Sequence, residues 1–314
     1  MKLAALQQIM LSTSPLLISG NGYTRYLLEA FPIVKDMSAP SLSSYKELAK
    51  AEMKELISQY ALSDIPEVCL TDDYVSEELP SCSIAYYRIF GFITSACRWW
   101  FNSKQLELDL LAADKNPQIA CHFLHLNSPG GEAWYLDRLS ETMRQLQKPV
   151  FALMEQVCAS AAYYIGCHAQ KIAVLTQNDQ IGCIGTMASF VSFEEYYAKL
   201  GIKQIQVHAD QSDLKNKKFD DLLANNPKQY IQDMLNPLAA QFIQEVRDMR
   251  PKIKPLADDA PVLRGETFSS PTAIEIGLVD SMMTFPEAVQ TALAMAKDYD
   301  SSANMRTALK FLNI

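Results

Sequence analysis

No run of apolar residues in this chain of 314 approaches the roughly 20 that a membrane-spanning helix needs. The first twenty residues are interrupted by Gln7, Gln8, Ser12, Thr13, Ser14 and Pro15, which makes them a poor signal peptide. Positive charge is scarce as well. With 28 Lys and Arg against 36 Asp and Glu, the net charge is −8. The chain therefore lacks the basic excess with which proteins displace counterions from nucleic acid, and no nucleic-acid partner is expected. Histidines number only four, and the seven cysteines lie scattered without the spacing of a metal site. No metal or other cofactor is expected. Cys121, Cys158, Cys167 and Cys183 sit in apolar segments and read as small core residues, in keeping with a reducing cytoplasm. Internal repeats and low-complexity tracts are missing too.

What is present is the composition of a globular protein, 49% hydrophobic and 20% charged, long enough for one large domain with appendages. Residues 1–80 read as a helical N-terminal extension and linker, with a helical spacing of Leu48, Met53, Leu56 and Ile57 and an acidic, polar stretch over 71–81. From Ser83 strands and helices alternate. Strands are predicted at 84–93, 119–126, 150–157 and 171–175, and helices at 103–113, 134–147 and 160–169. Short connections and near-continuous apolar strands argue for an α/β fold with parallel strands covered on both faces. Further on, Ser192 to Glu195 forms a capping box for a helix that stops at Gly201. Pro237 is expected to kink a helix over 231–246, and Ser270, Pro271 and Gly277 bracket another. Residues 286–314 form a helical tail, leaving 81–285 as the main domain.

Two segments carry the chemistry. Asn127-Ser128-Pro129-Gly130-Gly131 follows one apolar strand, and its glycine amides are expected at the start of a helix, where they lack intrahelical acceptors. Without a Cβ atom a glycine amide can approach a substrate carbonyl closely, as an oxyanion site requires. Taken alone, this turn is equally a tight strand-to-helix connection. Ser160 follows the next strand among Ala159, Ala161 and Ala162, with the Ala161 amide placed as a second oxyanion donor. On its own, Ser160 reads more readily as a helix N-cap. Together the two segments suggest a nucleophile beside an oxyanion hole formed by Gly130, Gly131 and Ala161.

A serine nucleophile needs a base. His122 and His125 fall within a core strand and His168 at a helix end, so His208 is the remaining imidazole candidate. A desolvated lysine serves equally, and 211–218 offers Lys215, Lys217 and Lys218. Spacing does not choose among them.

In order and spacing, the Asn127–Gly131 block, Ala159-Ser160-Ala161-Ala162-Tyr163 and Ile181-Gly182-Cys183-Ile184-Gly185 resemble the signal peptide peptidase A (protease IV) family. Arg264-Gly265-Glu266-Thr267-Phe268, then Ala273 and Gly277-Leu278-Val279-Asp280, resemble its C-terminal signature, so that the likeness covers about 83–285. The resemblance implies a ClpP/crotonase-like fold of repeated ββα units, here with helical extensions at both ends. It also implies a serine endopeptidase working through a Ser–Lys dyad, independent of ATP and of cofactors. Ser160 matches the family nucleophile and Lys215 the family lysine, although Gln211-Ser212 stands where the family has Ser-Gly; Lys217 is the alternative. Family members assemble into oligomers, and a homo-oligomer acting on peptide or protein substrates is expected. The single catalytic domain, the missing span and the Ala-Ser-Ala-Ala block resemble phage and prophage members that process capsid or scaffold proteins, placing the chain in the cytoplasm or the prohead. The competing expectations are a cytoplasmic degradative peptidase, an acyl-CoA enzyme on the same fold, and a capsid-assembly protein without catalysis.

Overall fold

A computed structural model describes residues 16–18, 45–62, 65, 68–97, 100–189, 194–203 and 205–311. The strands are β1 (Leu16–Ile18), β2 (Leu70–Thr71), β3 (Ser83–Phe90), β4 (Ile119–Ser128), β5 (Gly130–Glu132), β6 (Val150–Ala159), β7 (Lys171–Val174), β8 (Gln180–Gly182), β9 (Thr267–Ser269) and β10 (Ser281–Met282). The principal helices are α1 (Tyr45–Gln59), α2 (Ser103–Lys115), α3 (Leu136–Gln145), α4 (Ala161–Gly166), α5 (Glu194–Lys199), α6 (Lys217–Leu223), α7 (Asn236–Met249), α8 (Ser270–Ile276) and α9 (Phe285–Phe311).

An eight-stranded sheet organises the chain in the order β10-β7-β6-β4-β3-β2, with β8 beside β6 and β9 beside β8. Every pairing in it is parallel except that of β8 with β9. The chain thus has the expected α/β architecture; β4, β5 and α3, and again β7, β8 and α5, follow one another as strand, short strand and helix, whereas β6 leads straight into α4. Sequence pattern and packing agree along its central strands. Ala85, Tyr87, Ile89, Leu124, Leu126, Ala152 and Met154 enter one core with Leu106, Leu110, Leu139, Phe242 and Val246 of α2, α3 and α7. Their neighbours Ile84, Tyr86, Phe123, Phe151 and Leu153 enter a second core on the opposite face. This period of two, apolar on both faces, is what a doubly covered parallel strand requires.

The second core is closed by the two terminal extensions. Met53 of α1 and Leu62 lie there beside Phe285, Ala288, Val289, Ala292, Leu293 and Ala296 of α9. Burying such side chains contributes roughly 1.5–3 kcal/mol each for the larger ones. The polar 71–81 stretch is pinned to the same body. The Tyr74 hydroxyl donates to the Tyr86 carbonyl at 2.7 Å, and the Asn116 side-chain amide donates to the carbonyls of Tyr74 and Ser76.

Some boundaries differ from expectation. The helix expected over 160–169 is the short α4, because Cys167 and the residues after it turn toward β7. Ser269, not Ser270, precedes α8, and Gly277 ends it at φ 94°. Before Pro237 the helix widens into a π-helical stretch at 231–235, which accommodates the missing proline N–H. The helix of the predicted capping box begins at Glu194, while Ser192 lies outside the described residues. Among the described residues no helix is long and apolar enough to cross a membrane.

Candidate active site

Ser128 and Cys158 are register partners at the C-terminal ends of β4 and β6, so the two motifs are brought side by side by the parallel sheet. Beyond Ser128 the chain does not enter a helix. Gly130 to Glu132 form β5, and α3 starts only at Leu136. The glycine amides therefore project from a strand rather than from a helix N-terminus, which corrects the sequence-based expectation. The cause is Ile93. Its N–H donates to the Gly130 carbonyl at 3.0 Å and its carbonyl accepts from the Glu132 N–H at 2.9 Å, a bridge that holds β5 extended. Nothing in the local sequence signals that partner, which comes from the loop after β3.

Gly131 is required by this contact. A Cβ there would lie 1.9 Å from the Ile93 carbonyl oxygen. Gly130 stands at φ 104°, a region costly for any side chain, and its N–H donates to the Ser128 hydroxyl at 3.1 Å. Ser128 is thus a site residue that the motif contained without revealing its role. Because alternate residues of a strand point to opposite edges, the N–H and C=O of Gly131 face away from Ile93.

Ser160 occupies the turn between β6 and α4 at φ 56° and ψ −121°, a strained conformation for a residue with a side chain. It is only 1% exposed. Its hydroxyl does not cap α4, and the oxygen has no hydrogen-bond partner among the described residues. A buried hydroxyl normally finds a partner, so an orphan in a strained turn marks an atom kept for an incoming group. The Ala161 N–H next to it opens the helix, where no intrahelical acceptor exists.

The strained turn is clamped from behind. The Ser160 N–H donates to the Gly182 carbonyl at 2.8 Å, and the Cys183 N–H donates to the Glu266 carbonyl at 2.7 Å. Gly182 has φ 121°, and a Cβ would meet the Glu266 oxygen at 2.9 Å. The Tyr163 hydroxyl donates to the Leu278 carbonyl at 2.8 Å. The Ile181–Gly185 and Arg264–Asp280 motifs therefore hold the Ser160 turn in place.

The base is a different matter. Lys215, Lys217 and Lys218 sit in the 210–223 segment, where Lys217 pairs with Asp221 at 3.0 Å and Lys218 with Asp233 at 2.6 Å. Lys215 is exposed, and its ammonium has no partner among the described residues. No hydrogen bond joins any of the three to Ser160. His208 contacts Gln206 through its Nε2 at 2.8 Å.

The other histidines are committed elsewhere. His122 is bonded by Tyr87 and Asp114, and His125 by Tyr86 and Glu155, all within or beside the sheet. His168 contacts Glu245 of α7 at 2.6 Å. Burial on its own would lower the His168 pKa, but the neighbouring Cys167 sulfur and Glu245 carboxylate raise it to about 10. Lys148 is the buried amine that desolvation tunes most, down to about 8. It precedes β6, however, whereas Ser160 follows it, so the full strand of roughly 30 Å separates them. Its ammonium is held by the Ala113 and Asn116 carbonyls. Thiol nucleophiles are disfavoured here as well, since burial pushes the Cys158 thiol far up.

Residues 142–298, half of the chain, match the model of peptidase family S49. That interval includes Ser160 and the three lysines, and starts after β5. Protease 4 of Haemophilus influenzae is 28% identical over 200 residues, which cover 62% of this chain and 31% of that protein. The head-tail preconnector protein GP5 of Enterobacteria phage P21 is 26% identical over 183 residues, covering 57% and 35%. The chain spans about a third of the length of these two relatives. A solved mutant of the membrane-bound stomatin-specific protease 1510-N aligns at 14% identity and TM-score 0.43, over 67% of this chain and 84% of that one. A mutant ClpP1 from Listeria monocytogenes aligns at 14% identity and TM-score 0.41, over 65% and 94%. By the match that takes in the strained serine, its clamp and the lysine segment, the chain belongs to peptidase family S49.

Proposed function

We propose that the chain is a serine endopeptidase that cleaves peptide bonds with Ser160 as nucleophile and Lys215 as base. The observation that carries the reading is the buried, unbonded Ser160 hydroxyl in a strained turn beside β5. Family S49 membership and the relatives named as proteases support it.

In this reading the neutral Lys215 amine takes the Ser160 proton as Oγ bonds to the scissile carbonyl carbon. The N–H groups of Gly131 and Ala161 receive the oxyanion, while the Gly130 N–H, expected from the sequence to join them, stays on Ser128 and steadies the turn. Lys215 then passes its proton to the leaving amine as the C–N bond breaks. A water, deprotonated by the same amine, opens the acyl ester and restores Ser160.

The dyad needs Lys215 to lose its water, and assembly is the means we infer. In the 200–223 stretch that carries it, Leu200, Ile202, Ile205, Val207, Leu214 and Leu223 are all exposed, with Val207 at 85% and Leu214 at 72%. Such a concentration of apolar side chains is characteristic of a surface that another copy covers. A homo-oligomer would bury the segment and desolvate the amine. The likeness to a phage head-tail preconnector favours a capsid or scaffold protein as substrate, processed in the cytoplasm or prohead, over general degradation.

The test is fluorophosphonate labelling of Ser160 in the purified protein, with mass spectrometry of products from co-expressed neighbouring reading frames. Labelling and cleavage, both absent in Ser160→Ala, are the expected result. Absence of both in the unsubstituted, oligomeric protein would leave a fold without peptidase chemistry.

A further inference from the structure

Strand β5 has two edges. Ile93 takes one, through bonds to the Gly130 carbonyl and from the Glu132 N–H. The other is taken by β1, which runs antiparallel with Ile18 opposite Gly130, Leu17 opposite Gly131 and Leu16 opposite Glu132. Since the N–H and C=O of Gly131 point away from Ile93, they point at Leu17, and these two residues form a hydrogen-bonded pair of the antiparallel ladder. β5 also packs against α4, the helix that Ser160 opens, and follows Ser128, the register partner of Cys158 at the end of β6.

We infer that β1 is an internal pseudosubstrate: the chain's own residues 16–18 occupy, in extended antiparallel form, the edge on which a peptide must pair to reach Ser160. This rests on the peptidase reading above and adds a regulatory occupant to it. One amide cannot donate to the Leu17 carbonyl and to an oxyanion at once. Occupancy by β1 and turnover are therefore mutually exclusive. Extended peptides bind sheet edges by main-chain bonds, with side chains giving selectivity. An occupant tethered in the same chain competes at an effective concentration on the order of millimolar. Short peptides that bind more weakly than this are excluded, while a protein strand with further contacts displaces β1. The ligand of the edge is thus an extended polypeptide, and the resting state is self-occupied.

Proline at two neighbouring positions separates this from a general disturbance. At Leu17 the N–H faces β5 and proline removes it, whereas at Ile18 the N–H faces outward and proline is tolerated on an edge. Hydrogen exchange at Gly131 is measured in the full-length chain carrying Ser160→Ala, and the rate of fluorophosphonate labelling in the chain with Ser160 intact. Leu17→Pro is expected to accelerate both by about tenfold, the worth of one to two main-chain bonds. Ile18→Pro is expected to leave both unchanged. Equal effects of the two prolines would overturn the assigned register, and a Gly131 amide that exchanges freely in the chain without proline would overturn occupancy whatever the variants do. Faster exchange in Leu17→Pro without labelling of Ser160 in any form would keep β1 on the edge and remove the peptidase reading. Labelling at the same rate in Leu17→Pro as in the unsubstituted chain would remove the inhibition and leave the peptidase.

Discussion

The nucleophile turn and the lysine-bearing segment are two halves of one proposed site, built in opposite ways. Ser160 is buried between Ala159 and Ala161, its N–H is held by the Gly182 carbonyl, and the segments beside it are held by the Cys183 bond to Glu266 and the Tyr163 bond to Leu278. Around Lys215 the side chains are exposed, apolar and charged groups alike, and the helical turns are short. The nucleophile half is pre-organised within one chain. The base half is left to be completed by whatever covers it. Strain and a missing hydrogen bond are tolerable in the first half because the sheet supports them; the second carries instead an ammonium that has no partner among the described residues.

That contrast can be broken most directly at Ser160. Its replacement by alanine is expected to lower peptide cleavage by about six orders of magnitude. The variant should be at least as stable as the parent, because a buried hydroxyl without a partner is lost; calorimetry and a peptide assay measure both. Lys215→Ala should cost about two to four orders of magnitude in cleavage while stability stays within about 0.5 kcal/mol, as for an exposed side chain. If cleavage instead survives there and disappears in Lys217→Ala, the base moves to Lys217 and the contrast between the halves is redrawn.

Gly131→Ala tests the oxyanion strand. The added methyl meets the Ile93 backbone, so a fall in melting temperature should accompany a loss of about a hundredfold in cleavage. Wild-type kinetics in that variant would mean that β5 takes no part. Alkaline pH should act on the nucleophile half through His168, which ties the end of α4 to Glu245 of α7. An unfolded histidine titrates near 6.5 and the folded one at about 10, so the stabilisation is complete below 6.5 and is lost as the pH rises toward 10. The melting temperature should decline across that window, and His168→Gln should remove this part of the decline. The smallest effect is expected from Leu214→Asp, which should lower the oligomer mass in light scattering at micromolar concentration while leaving the monomer fold unchanged.

Much of this could be read from residues alone. The apolar runs at 119–126 and 150–157 announced parallel strands because covered strands carry apolar side chains on both faces. Ser160 and its alanines were legible as a compact motif. The amides of Gly130 and Gly131 could be put forward as candidate donors but not placed in a strand, since Ile93, which holds them, lies far back in the chain. Ser128 stood within the motif without any hint that its hydroxyl holds the Gly130 N–H. The terminal extensions read as appendages, yet α1 and α9 close the second core, because a parallel sheet leaves a whole face to be covered by whatever chain is at hand.

Residue types and their periods determined the α/β class and the order of the central elements, and offered Ser160 as the candidate nucleophile, since these depend on neighbours in the chain. Tertiary structure alone decided which amide of the glycine pair faces outward, that the Ser160 oxygen has no partner among the described residues, and that Leu17 stands opposite Gly131. Each of those depends on atoms brought together across a sheet, where register and the direction of an N–H follow from strand pairing and cannot be inferred from local sequence.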